Sequence, residues 1–196
     1  MAPVPPEQLA ALARRAQAGD AAATAELLRA LYVVVRKQIH FILGAGPAID
    51  DAVQETMIAL HRALPGFRGD ASPRTWAITI AMRTARRQRR RDARHPGGGE
   101  DVEVAVFDVD QTGAAELAVM RRALAALDPK KREAFVLMGI FELTAAEAGR
   151  ALGTFANTAA SRFRHARAEL EAYLARHGDE TLTSPAAPRP LTKVEP

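Results

Sequence analysis

Seven arginines lie between residues 83 and 94, in the run MRTARRQRRRDAR. So many like charges on one helix end repel each other unless an anion compensates them. Nucleic-acid phosphates do this, with release of counterions. The alternative is a solvated helix end whose cations sit near the negative pole of the helix dipole. Just upstream, PGFRGDAS sets Phe67, Arg68 and Asp70 in a short loop before a helix start. Glycines at 66 and 69 permit tight backbone geometry there, and free N–H groups at a helix start attract anions. Such a loop can hold an extruded base, or simply connect two helices. Trp76, Ile80, Arg83 and Arg87 share one face by helical spacing, and Trp76 suits a core as well as a ligand face. A third group lies about 70 residues further on. In FELTAAEAGRALGTFANTAASRFRHARAEL, a helix, a glycine-containing turn and a basic second helix follow one another, the parts of a helix-turn-helix. The exposed positions of that second helix include Asn157, Thr158, Ser161, Arg162, Arg164 and His165. Asn and Arg read base edges, and Ser and Thr reach phosphates.

No catalytic set accompanies these groups. His40 and His61 have no carboxylate pairs at ligand spacing and read as packed or surface residues, so no metal is expected. The chain has no Cys, which excludes thiolate zinc sites and thiol catalysis and fits a reducing compartment. The glycines at 97 to 99 lie in an acidic stretch without Lys, which repels phosphate, so no cofactor is expected either. The pI near 9.9 with a formal charge of only +4 reflects concentrated rather than abundant positive charge. The start MAPVPPEQLA has no basic n-region and no apolar h-region, and no run of 18 apolar residues occurs. The expectation is a cytoplasmic protein without membrane insertion and without enzymatic activity.

The elements that must position these residues are helical. Ala, Leu and Arg dominate the 196 residues, and aromatics are 5%. A first helix over residues 8–18 stops at Gly19, and Asp20 caps a second carrying Leu27, Leu28, Leu31, Val34, Val35, Ile39 and Ile42. Gly44, Gly46 and Pro47 end it. A third starts at Asp50 or Asp51, with Val53, Met57, Leu60 and Leu64 on one face. Ser72 and Pro73 cap and open a fourth, which runs to about Arg94. These four predict one domain over residues 1–94. Residues 95–113, HPGGGEDVEVAVFDVDQTG, hold five carboxylates and no Lys or Arg, and read as a flexible acidic linker. The alternation in VEVAVFDV would make a strand without a partner. A second module spans residues 114–177. Leu117, Met120, Leu124 and Leu127 stripe its first helix, and Asp128-Pro129 caps the next, with Phe135, Leu137, Met138 and Ile140. Thr144 and Glu147 form a capping box for a helix ending at Leu152-Gly153. The last helix begins at Phe155 or Ala156 and runs to Arg176. The proline-bearing tail, residues 178–196, is expected to be disordered. The fold class is all-α, with two small helical domains, the second containing the helix-turn-helix.

Two parts of the chain resemble a bacterial RNA polymerase sigma factor of the extracytoplasmic-function type. RAQAGDAAATAELLRALY, DDAVQETMIALHRALPGFRGDASPRTW and the arginine-rich helix end are similar to sigma region 2. ALAALDPKKREAFVLMGIFELTAAEAGRALG and SRFRHARAEL are similar to region 4. The resemblance implies core RNA polymerase as partner, through the β′ clamp helices and the β subunit, with Asp51, Gln54 and Glu55 on the clamp. It implies promoter DNA as the second partner. The minus-ten element would be melted and read by Phe67, Arg68, Asp70, Arg74, Trp76, Arg83, Arg86 and Arg87. The minus-thirty-five element would fall to the second helix of the helix-turn-helix, the linker would thread toward the polymerase RNA path, and an anti-sigma factor would regulate the whole. Some positions depart from the family pattern. IAMRTA places Arg83 and Thr84 where Asn-Leu is frequent. Thr154 and Phe155 stand where an apolar residue and Ser are usual, and Ala160 stands where Lys or Arg is usual. These departures remove an apolar anchor and a phosphate or base contact from the second helix. An interaction protein that mimics a sigma factor and sequesters an anti-sigma factor without promoter binding is the alternative. A generic helix-turn-helix repressor would not need the first module's acidic helix and loop.

Overall fold

The computed structural model describes residues 4–44, 46, 48–94 and 111–182, with side chains over 119–176 in the last stretch. Eight α-helices are described: α1 (Pro6–Gln17), α2 (Ala21–Leu43), α3 (Ala48–Ala63), α4 (Pro73–Asp92), α5 (Gln111–Ala126), α6 (Pro129–Phe135), α7 (Ala145–Leu152) and α8 (Ala156–Leu182). A 3₁₀ turn, Leu64–Gly66, follows α3, and a π turn, Val136–Ile140, follows α6.

Side-chain caps start four of the helices. Asp20 accepts from the Ala23 N–H at 2.9 Å, Ser72 from Thr75 at 3.0 Å and Asp128 from Lys130 at 2.9 Å. Thr144 and Glu147 form the reciprocal capping box of α7. Three expected boundaries shift. The third helix starts at Ala48, so Asp50 and Asp51 lie inside its first turn, where carboxylates meet the positive end of the helix dipole. The fifth starts at Gln111, three positions before the expected Ala114, and the last continues to Leu182, beyond the expected end at Arg176. In both, a glycine just outside the expected limits, Gly113 or Gly178, lies within the helix. Interior glycine costs a helix about 1 kcal/mol, which weakens it without ending it. The acidic stretch 95–110, with its strand reading, and residues 183–196 of the tail lie outside the described residues.

The first four helices close around Leu27, Leu31, Val35, Ile39, Val53, Leu60, Ala77 and Ala81. Here most of the sequence stripes of α2 and α3 are buried, with Leu28 and Met57 half-buried against them, while Val34 and Ile42 of the α2 stripe turn to a second cluster. That cluster fills the space between α5, α6, α7 and α8 with Leu124, Leu137, Phe141, Leu152, Ala166 and Leu170. It also takes in Phe41 and Ile42 from α2 and Ile78, Met82 and Ala85 from α4. α4 is therefore apolar on two sides, one toward each cluster, and the two modules share a seam.

His40 lies close to that seam, buried at the end of α2. Burial first, and then the charges of Arg121 and Arg36, push its imidazole down to about 4. The folded pKa lies below the ordinary 6.5, so the fold holds the neutral ring while the unfolded chain takes up a proton. Stability is then complete above pH 6.5 and declines as the pH falls toward 4. Between pH 7 and pH 5 the loss is expected to be roughly 1–2 kcal/mol, read as a lower urea midpoint. His40→Gln should flatten this dependence. A midpoint that falls equally with pH in both proteins would contradict the assignment.

Candidate nucleic-acid interface

The two sides of α4 divide the arginines. On the outer side, the Phe67 and Trp76 rings lie 4.9 Å apart at 45°. With Arg68, Asp70, Thr79 and Arg83 they line a cleft of about 470 Å³, closed on its far side by Glu147 and Arg150 of α7. Its loop is held at both ends. The Gln17 side-chain amide donates to the Phe67 carbonyl, and the Ser72 hydroxyl caps α4. Gly69 takes φ 76°, a left-handed geometry that other side chains rarely adopt. Arg68 and Asp70 pair with each other at 2.8 Å in full solvent. Trp76 lies between core and cleft. It is half-buried, packs against the first module's core and still lines the cleft. Two aromatic faces beside the exposed Arg83 suit a flat, π-faced, anionic ligand, the description of an unpaired nucleotide.

Arg87 is turned away from this cleft. It pairs with Glu55 of α3 at 2.5 Å, and Arg91 approaches the same carboxylate at 3.5 Å. Glu55 is half-buried in consequence, while Asp51 and Gln54 of the same helix face are exposed. Ile58, one turn further along that face, is also exposed, an apolar addition that charge-based reading of the sequence passed over.

The inner side of α4 forms the seam. Arg86 donates to Glu133 at 3.0 and 2.5 Å and to the Leu152 carbonyl at the end of α7 at 2.8 Å. Arg89 donates to the other Glu133 oxygen at 2.8 Å. Glu133 is 1% exposed. Arg74 donates to the Phe141 carbonyl at 3.0 Å and lies 5.6 Å above the Phe141 ring. Arg132 crosses from the other direction, donating to the carbonyls of Leu124 and Ala125 at 2.7 Å and of Ile42 at 3.3 Å. In this arrangement Arg74 and Arg86 are engaged by the second module and lie apart from Phe67, Trp76 and Arg83. Glu133 was legible only as an acidic residue four places before Leu137, on a face otherwise apolar. Glu147 faces the cleft as a carboxylate. The Thr144 backbone N–H, and then its hydroxyl, hold its pKa below the ordinary range.

In the second module, α7 and α8 form the helix-turn-helix. Gly153 ends α7 at φ 64°. A Cβ on Gly149 would stand 2.9 Å from the Thr154 carbonyl oxygen and 3.1 Å from the Ala156 nitrogen, so only glycine lets the turn pack this tightly. α8 buries Ala159, Ala166 and Leu170. Asn157, Arg164 and His165 are exposed on the opposite face with the half-buried Ser161, and Thr158 and Arg162 are half-buried on its flank. Among the described residues no three His, Asp or Glu side chains gather as a metal site, and no helix is long and apolar enough to cross a membrane.

Residues 25–95 match the family model of Sigma-70 region 2, and residues 117–170 match that of Sigma-70, region 4. The RNA polymerase sigma factor NccH of Alcaligenes xylosoxydans xylosoxydans is 36% identical over 173 residues, covering 84% of this chain and 93% of NccH. Among solved structures, CnrH in complex with the cytosolic domain of CnrY aligns with a TM-score of 0.63 at 26% identity, covering 84% of this chain and 96% of that one. The sigma factor RpoE in complex with the anti-sigma factor NepR, from Bartonella quintana, aligns with a TM-score of 0.66 at 23% identity, covering 77% and 96%. That last likeness is one of fold. The chain belongs to the RNA polymerase sigma-70 family, in its extracytoplasmic-function type.

Proposed function

We propose that this sigma factor binds core RNA polymerase and directs initiation at promoters by reading the minus-ten element in the α4 cleft and the minus-thirty-five element with α8. The observation that carries this reading is the combination in one chain of an aromatic and arginine cleft with a helix-turn-helix. Catalysis belongs to the polymerase, and the protein acts in the cytoplasm. Its partners are the β′ clamp helices, reached by Asp51, Gln54 and Glu55, the β subunit and promoter DNA. A regulatory protein, an anti-sigma factor, completes the set; CnrH is likewise found in complex with another protein's segment, the cytosolic domain of CnrY. The sequestering mimic is not favoured, since the relatives are themselves sigma factors.

The packed seam adds a requirement. The two elements are separated by roughly 25 base pairs, about 85 Å of duplex. A compact protein of 196 residues is roughly 40 Å across. One molecule reads both elements only after its modules part, which opens the cleft on its Glu147 and Arg150 side and leaves Phe67, Trp76 and Arg83 with the first module.

Transcription in vitro with core polymerase and a promoter library tests the function. Transcripts should start at a defined subset of sequences, and start sites no different from those of core alone would overturn it. Reversing charge at Asp51 and Glu55, each to Lys, should weaken core binding at least about tenfold, since like charges set against an interface cost it more than their loss. Helical content should be retained. Unchanged affinity in a titration against core would remove these residues from the contact.

A further inference from the structure

α8 starts from Phe155, which is 85% exposed, whereas among the described residues no other exposed large hydrophobic residue exceeds 49%. Four other helices open with a side-chain cap from Asp20, Ser72, Asp128 or Thr144. A phenylalanine at this position can accept no hydrogen bond, so its side chain gives α8 no such cap. The backbone beneath the ring is closely packed. It borders a recess lined by Gly149, Arg150, Gly153 and Thr154, over the turn that Gly149 packs tightly and Gly153 reverses. Asn157 is exposed two residues further on. A large apolar group is thus presented to solvent from a rigid turn, at the leading end of the helix assigned to DNA.

A recognition helix meets base edges through its N-terminal residues. The major-groove edge of the four base pairs offers hydrogen-bond donors and acceptors, and its one apolar feature is the C5 methyl of thymine. We infer that Phe155 is a specificity residue that packs on the thymine methyl of one base pair in the upstream promoter element. This inference rests on the assignment of α8 to that element. It supplies a discrimination that hydrogen bonds from Asn157, Ser161 and Arg164 do not, since uracil and thymine present the same polar edge.

The test uses holoenzyme made from the full chain and core polymerase, on a promoter selected by that holoenzyme. Each thymine of the upstream element is replaced in turn by deoxyuridine, which removes only the methyl. At one position the wild type should bind about fourfold more weakly to the deoxyuridine duplex, the worth of one buried methyl group. Phe155→Ala should bind thymine and deoxyuridine duplexes equally there, and Phe155→Leu should keep part of the difference. A wild type indifferent to deoxyuridine at every position overturns the inference and leaves the sigma assignment standing, as does an Ala variant that discriminates as the wild type does. A wild-type holoenzyme that selects no upstream sequence at all overturns both.

Discussion

Replacing Glu133 by Ala is expected to destabilise the protein by about 3 kcal/mol and to let its two modules part. Among the described residues Glu133 is the only carboxylate that bonds Arg86 and Arg89, and it is buried where they meet it. Removing one partner of a buried pair typically costs 3–5 kcal/mol, because the remaining charge is left in the low-dielectric site. The side chains of Arg86 and Arg89 are 23% and 34% exposed and can turn toward water, which places the loss at the low end. A lower urea midpoint and a larger radius in small-angle X-ray scattering are the readouts. The freed arginines should also raise affinity for nonspecific duplex DNA and steepen its salt dependence by up to about two counterions. Glu133→Gln keeps the volume and should fall between wild type and Ala. A midpoint, radius and salt slope all unchanged in the Ala variant would show that the seam does not depend on this carboxylate.

Phe67→Ala should impair promoter melting more than promoter docking. Stacking of a base on an aromatic side chain is worth about 1–3 kcal/mol, so open complexes should decline by roughly 5- to 150-fold at limiting protein. Closed complexes, held by duplex contacts elsewhere, should change little. Permanganate reactivity of promoter thymines separates the two stages. Phe67 also rests against Trp76 and the first core, so some thermal stability should be lost with it. Phe67→Tyr keeps a ring at the site and should restore melting. Wild-type permanganate reactivity in the Ala variant would reduce residues 67–72 to a connector.

The local features of this fold were legible because they depend on neighbours in sequence. Asp20, Ser72, Asp128 and Thr144 cap their helices through N–H groups two or three residues away. The stripe of α2 needed only its period. What could not be read were contacts between distant segments. Arg86 and Arg87 are adjacent in sequence, but successive helical residues point about 100° apart. One reaches Glu133 and the other Glu55, 47 and 32 residues away. A run of arginines gives the charge of a helix end without saying which partner each takes. The cleft was legible as a loop with an aromatic and two charges, whereas its far wall, Glu147 and Arg150, comes from α7. The second apolar side of α4 was hidden for a similar reason. Ile78, Met82 and Ala85 are buried only because a second set of helices lies against them, and their spacing in sequence does not show that. Gly113 and Gly178 lie within the two longer helices because a glycine lowers helix stability by an amount that neighbouring turns can offset.

The burial of Glu133 has a consequence for the protein during its synthesis. The ribosome makes Arg89 44 residues before Glu133, the span that separates the two partners. At roughly 5–20 residues per second, the arginine helix exists for about two to nine seconds before the carboxylate that neutralises its inner side has been made. During that interval it is a cationic segment surrounded by ribosomal RNA. The stretch translated directly after the arginines is HPGGGEDVEVAVFDVDQTG, with five carboxylates and no Lys or Arg. The carboxylates made next after the arginines are therefore the five of this stretch, synthesised before Glu133.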